Sequence, residues 1–347
     1  MAIDIFSTHF LNRVLEYLDR PGAHLLSAYF PFEQPEQSEE IHFDVRSGKP
    51  RITPLVSPLV EGVVVEDHGY TTNTFKPAYA KDKRRFQPNA PLRRLAGEQV
   101  GGTMSAQARR EAQVQMCMVD QLDMLTRREE VMASEALQTG AVTVSGEKYP
   151  TVVVDFGRDA ALTVALLTTA RWGESGVIPL DDLEDWAALI QEKSGAVSTR
   201  VTMDPKAWKL FRASAGVATL LDQRRGTDNT LNSDIVALGQ GTEKARYKGN
   251  VGEFDFWVYQ DRYVDEGGTT QQLLPDYTVI MGGPDVEGTR AYGAIQDEKA
   301  GYSATRYFVK SWMQDDPAVR WMMLQSAPLV VPYRINATFC ATVHDGT

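Results

Sequence analysis

Cysteine is nearly absent: Cys117 and Cys340 are the only two in the chain. That is too few for a disulfide framework or a thiolate metal knuckle, so both read as core thiols. The five histidines, His9, His24, His42, His68 and His344, are scattered and none pairs at metal-ligand spacing. No apolar run reaches the roughly 18 residues a membrane helix needs. The opening MAIDIFSTHFLNRVLEYLDR has acids and amphipathic spacing where a secretory signal would have a basic start and an apolar block, so a cytosolic protein is expected. Catalytic signatures are missing too: there is no phosphate-loop lysine motif, no HExxH and no GxSxG. The nearest glycine string, GQGTEK at 239–244, lacks both a third glycine and a preceding strand. Adjacent acids at Asp181-Asp182 and Asp315-Asp316 suit helix-start and turn chemistry better than an acid/base pair. A net charge of −10 argues against phosphate-backbone affinity as the main activity.

What is present is the composition of a globular protein, 43% hydrophobic and 24% charged over 347 residues, long enough for two or three packed units. The chain is organised around the stretch 103–139, which contains neither glycine nor proline. Val114, Met118, Leu122, Leu125, Met132 and Ala136 recur there at helical spacing, which predicts one helix of roughly 50 Å with a buried face. Ser105 is the expected cap and Gly140 the stop. Arg109 and Arg110 near its start and Glu135 near its end oppose the helix dipole, so packing must hold it. A coiled-coil seam is the alternative, weakened where Arg128 and Glu129 interrupt the stripe.

Residues 1–45 open with a short amphipathic helix bearing Leu11, Leu15 and Leu18, then run into YFPFEQPEQSEE, whose prolines and acids suit an arm. Such an arm is either a disordered tail or a segment ordered on another subunit. From 46 to 95 the pattern is strand, turn, strand, broken by Pro54, Pro58, Pro77, Pro88 and Pro91, which excludes a central sheet strand. Two extended limbs of that length need a surface to lie on. Residues 76–94 carry Lys76, Lys81, Lys83, Arg84, Arg85, Arg93 and Arg94 against Asp82 alone, a local net of +6 that leaves −16 for the remainder. A basic limb on an acidic body suggests that the limb of one copy meets the body of another. A solvated basic loop and a nucleic-acid contact are the other readings. Beyond the long helix the pattern predicts a hairpin near Gly146, a helix over LDDLEDWAALIQEKSG, a second helix capped by Asp204, and a hairpin at Gly267-Gly268. Late strands follow, and the class is α+β.

Several separated stretches, in order along nearly the whole chain, resemble the major capsid protein E family of lambda-like tailed phages. They are LVSPLVEG with TFKPAY, LRRL before the long helix, VDFGR, MDPKAWKLFR with DQRRG, LLPDYTVIMG, TRAYGAIQD and QSAPL. The resemblance implies the tailed-phage major capsid protein fold: an N-terminal arm (1–45), an extended two-stranded loop (46–95), a peripheral domain (96–156 and 301–347) with spine helix 103–139, and an axial domain (157–300). It implies a non-enzymatic subunit without cofactors, assembling with itself as hexamers and pentamers of a shell. That shell encloses DNA without sequence-specific binding and has no membrane. A scaffold protein, a portal and a decoration protein are implied partners, the virion the location, and host cytoplasm the place before assembly. Lys81, Lys83, Arg84, Arg85, Arg93 and Arg94 are then the expected inter-subunit contacts of the loop. Val114, Met118, Leu122, Leu125 and Met132 are the expected core of the spine helix. A cytosolic α+β enzyme with an unrecognised pocket and a non-viral nanocompartment shell remain the alternatives.

Overall fold

A helix that begins with a capping serine and ends on a glycine dominates the structure, a computed structural model that describes residues 23–46, 70–94, 104–214, 244–316 and 319–346 together with Leu11, Thr53, Leu55, Glu61 and Val217. Among the described residues four helices can be bounded: α1 (His24–Tyr29), α2 (Ala106–Thr139), α3 (Pro179–Ser194) and α4 (Pro205–Ala213). The Ser105 hydroxyl accepts from the Ala108 amide at the start of α2, and Gly140 closes it with φ +77°. Only glycine suits that end, because a Cβ at position 140 would lie 2.5 Å from the Arg158 Cβ. Arg158 in turn donates from Nη1 to the Leu137 carbonyl at 2.8 Å, satisfying one of the acceptors a helix end leaves over.

The two halves of α2 bury different faces. Val114, Met118, Leu122 and Leu125 pack with Leu11, Val309, Met322 and Leu324 in a small separate cluster. Val131, Ala133, Ala136 and Leu137 belong to the main core. The stripe shifts at Arg128–Glu130 because the helix passes from one packed layer to the next.

The main core surrounds a six-stranded mixed sheet whose order across is Thr163–Ala165, Phe339–Thr342, Thr278–Gly282, Arg200–Met203, Phe254–Tyr259 and Ala245–Val251. Every residue of Thr278–Gly282 is buried, as expected for a strand covered on both faces. Against this sheet α3 lays its Leu183, Trp186 and Ile190 stripe, and Trp186 stacks on Phe339 with centroids 4.8 Å apart. Helix α4, capped by the Asp204 carboxylate on the Lys206 amide, brings Phe211 to 4.7 Å from Phe256.

Two three-stranded sheets complete the frame. In one, Phe32–Pro35 runs parallel to Gly288–Tyr292, which pairs antiparallel with Pro328–Pro332. In the other, Phe308–Gln314, Val319–Ser326 and Ala80–Phe86 are antiparallel neighbours. Three antiparallel pairs form two-stranded sheets among the described residues: Ile41–Arg46 with Tyr70–Phe75, Ala141–Gly146 with Tyr149–Asp155, and Arg262–Val264 with Thr270–Gln272. Among the described residues no helix is long and apolar enough to cross a membrane.

One expectation about the N-terminal quarter needs correction. Residues 23–35 are not a tail outside the body: Leu25, Leu26, Tyr29 and Phe30 are buried in the main core, and the following strand joins a sheet. The apolar run HLLSAYF supplies what the acidic stretch after it lacks. The basic limb, among the described residues, pairs with Val319–Ser326 at the end of that sheet's strand order, a position that tolerates prolines on either side. The amphipathic segment 12–22 and most of residues 47–69 lie outside the described residues.

Candidate functional site: the basic edge strand and the long helix behind it

Strand periodicity sends alternate side chains of Ala80–Phe86 to opposite faces, and its pairing fixes what each face meets. Asp82, Arg84 and Phe86 share a face with Leu324, Met322 and Arg320, and through them with Val309. That face packs on α2: the Gln121 amide donates to the Asp82 carbonyl at 3.0 Å, and Met322 and Leu324 meet Met118 and Leu122 in one cluster. Arg84 is therefore not without a local counterpart. Its Nε lies 2.9 Å from the Asp82 carboxylate and its Nη1 3.9 Å from Asp120 of α2.

Lys81, Lys83 and Arg85 stand on the other face, all three exposed, beside Gln325, Met323 and Trp321 and beyond them Phe308, Lys310 and Trp312. The Lys83 ammonium sits 4.0 Å above the Trp321 ring and 5.3 Å from Trp312, and Lys81 sits 5.0 Å above Tyr79. Lys310 lies 5.9 Å from the Trp312 ring centroid and pairs with Asp297. No carboxylate among the described residues pairs with Lys81, Lys83 or Arg85. Arg93 and Arg94 follow the short turn Ala90–Leu92 and are also exposed. That turn is tied to α2 through Gln113, whose amide donates to the Ala90 carbonyl at 3.3 Å.

Of the residues expected to form the helix core, Val114, Met118, Leu122 and Leu125 are at most 6% exposed. Met132 is only half-buried and packs on the main core instead, one layer away from the other four. Cys117 is half-buried beside them, its thiol pushed up to about 11 by burial. Elsewhere on α2, Met116, Val119 and Met124 are more than a third exposed, and the Met124 sulfur lies 3.1 Å from Arg84 Nη2.

Sequence reasoning also missed the pair Glu129 and Glu130; it reads Glu129, with Arg128, as an interruption of the stripe, and does not single out Glu130. Both are buried. Glu130 accepts from the Leu25 amide at 2.8 Å, the Leu26 amide at 3.1 Å and the Tyr259 hydroxyl at 2.9 Å. It thus caps the first turn of α1, where Ala23 offers no side-chain acceptor. Burial pushes its carboxyl up to about 7. Glu129 accepts from Arg306 at 2.8 Å and from the Tyr292 hydroxyl at 3.1 Å, while Glu33 lies 3.5 Å from Arg306 and 3.2 Å from Arg290. Burial raises the Glu129 carboxyl despite the neighbouring guanidinium. The two glutamates hold residues 25–33 to the long helix from consecutive positions. The signal available in the sequence was an acidic pair between Leu125 and Met132 of the apolar stripe.

Neither of the other acid pairs forms a dyad with a third group: Asp182 accepts from the Trp172 indole at 2.8 Å, and Asp315 and Asp316 end the strand Phe308–Gln314 at an exposed turn. Among the described residues there is no group of three or more histidine, cysteine, aspartate and glutamate side chains able to hold a metal. The arrangement suits the holding of surfaces: a row of cations over half-buried rings, backed by a long helix.

Comparison with known proteins gives concordant results. Residues 7–343 match the family described as phage major capsid protein E. The major capsid protein of Escherichia phage lambda is 32% identical over 310 residues, 88% of this chain and 89% of the relative. That of Enterobacteria phage phi80 is 31% identical over the same length and shares. Among solved structures, the putative capsid protein of a prophage of E. coli CFT073 superposes with a TM-score of 0.74 at 23% identity, over 99% of this chain and all of the other. A phage-related protein of Bordetella bronchiseptica does so with 0.56 at 14% identity, over 96% of each chain.

Proposed function

The chain belongs to the phage major capsid protein E family, and from that premise we propose that it is the repeating subunit of the icosahedral head shell that encloses the double-stranded DNA of a tailed phage. The observation that carries this reading is a family likeness running over nearly the whole chain. The role is structural, without catalysis, and the subunit's place is the virion, with host cytoplasm as its place before assembly. Assembly into hexamers and pentamers suits a surface left incomplete within one copy: an exposed basic row that pairs with no carboxylate among the described residues, and the exposed side chains of Met116, Val119 and Met124 on α2. Residues 1–45 serve as arm, 46–95 as extended loop, 96–156 with 301–347 as peripheral domain and 157–300 as axial domain. Residues 23–35 of the arm are its root within the subunit. Lys81, Lys83, Arg85, Arg93 and Arg94 are proposed contacts with neighbouring copies, whereas Arg84 also serves its own subunit.

A scaffold protein, a portal and a decoration protein complete the set of partners, and the DNA is held without sequence reading, in keeping with a net charge of −10. Sedimentation velocity of the purified chain tests the reading. Particles, sheets or capsomer rings in exchange with subunits are expected; a small defined oligomer at every concentration would contradict it.

A further inference from the structure

The outward row Lys81, Lys83 and Arg85 alternates along one strand, so at about 3.3 Å per residue its charges span roughly 13 Å. The aromatic rings beneath it are occupied. Lys83 covers Trp321, and both it and Lys310 lie close to Trp312. Rings capped by ammonium groups are poorly placed to stack on bases, and a subunit of net −10 repels phosphate at distance, so the face favours an acidic protein surface over nucleic acid.

Such a surface exists on the chain itself. Helix α3 buries Leu183, Trp186 and Ile190, which turns Asp181, Asp185, Ala188 and Glu192 together toward solvent. Ile178, 48% exposed, extends that stripe at the helix start. The three acids span roughly 16 Å at about 1.5 Å per residue, close to the length of the cationic row. Neither Asp181 nor Asp185 has a cation partner among the described residues; the carboxyl of Asp182 between them is raised first by its own burial and further by these two charges.

We propose that the Lys81–Lys83–Arg85 face of one copy docks on the acidic stripe of α3, Asp181, Asp185 and Glu192, of a second copy. This rests on the reading of the chain as a shell subunit and names the surface that its basic loop meets. The contact is heterologous, since the two patches differ, and so propagates from copy to copy as a ring or shell requires. The covered tryptophans hold Lys83 in place before the encounter, which lowers the ordering cost that makes exposed ion pairs weak.

Charge exchange between the two surfaces tests the pairing. K83E with R85E should raise the concentration needed for assembly in low salt by on the order of tenfold or more. D185K with E192K should do the same, and the four changes together should restore assembly. All four side chains project from folded elements into solvent, so circular dichroism melting should remain near wild type; should the lysine and glutamate forms melt early, K83Q with R85Q and D185N with E192Q provide the neutral versions of both arms. Wild-type assembly by the α3 variant, or a four-fold variant no better than K83E/R85E, would overturn the pairing while leaving the shell reading intact. Binding of a fluorescent single-stranded oligonucleotide by the wild-type chain, lost in K83E/R85E, would reassign the face to nucleic acid and overturn it as well. A wild-type chain that never assembles would remove both the shell reading and this contact.

Discussion

Replacing Glu130 by alanine should loosen the root of the N-terminal segment while leaving the six-stranded sheet in place. Its carboxylate is the acceptor for the Leu25 and Leu26 amides and for the Tyr259 hydroxyl, and all three residues are buried. Each donor orphaned in the interior costs about 1–3 kcal/mol, and the lost carboxylate leaves a small void. Removing a carboxyl that burial disfavours in its ionised form returns part of that cost, so a net loss of about 2–5 kcal/mol is expected near neutral pH. The pH dependence carries an independent signature. The folded carboxyl is raised to about 7 from an ordinary value of 4.5, so the native state binds its proton more tightly than the unfolded chain. The associated stability is fully present below the ordinary value and is lost as pH rises through the folded one. The wild type should therefore lose about 2–4 kcal/mol, relative to E130Q, between acid and mildly alkaline pH. Urea unfolding of subunits at pH 5 and pH 8 measures this, and hydrogen exchange locates it to residues 24–33. Identical pH profiles for wild type and E130Q, or unchanged protection of Leu25 and Leu26 in E130A, would refute the account of Glu130 as the cap of α1.

Leu122→Ala should cost about 2–5 kcal/mol in chemical unfolding, since Leu122 is 6% exposed in the small cluster between α2 and the edge sheet; a wild-type midpoint would mean that this layer bears no load. Gly140→Ala, strained at φ +77° and with its Cβ driven to 2.5 Å from the Arg158 Cβ, should cost more than the about 1 kcal/mol of an unobstructed left-handed site, read as a lowered melting temperature. Arg84→Glu should destabilise the isolated subunit, by about 1–2 kcal/mol and less at high salt, because it faces Asp82 and Asp120 of its own chain. If the Arg84 variant melts like wild type, its ion pairs contribute nothing and the residue serves only between copies.

The elements that could be read from the sequence are those whose signals are local. Ser105 and Gly140 bound α2, Asp204 and Pro205 start α4, and the Leu183, Trp186, Ile190 stripe places α3, because caps and periodicity act within a few residues. The basic strand could not be placed by the same means. Its partner, Val319–Ser326, lies far along the chain, and proline content told only that the strand would not be central. The charge count of its segment was legible, but the division of labour within it was not: register alone turns Arg84 inward to Asp120 and Lys83 outward onto Trp321. Glu129 and Glu130 illustrate the same limit. Nothing local tells a solvated acid from one buried against Arg306 or against the amides of α1, so their place in the core appears only once the chain has closed. Residues 23–35 were assigned to an arm because acids and prolines follow them, although HLLSAYF itself has the apolar content of a core segment.

Electron microscopy of the purified full-length chain tests the central claim most directly. If the chain is a shell subunit, concentrated protein, alone or with a scaffold protein, should yield closed shells, tubes or sheets tiled by six-fold and five-fold rings of one repeating subunit, with the Ala80–Phe86 strand at a boundary between copies. Uniform small oligomers with that strand facing solvent, under every condition, would contradict it.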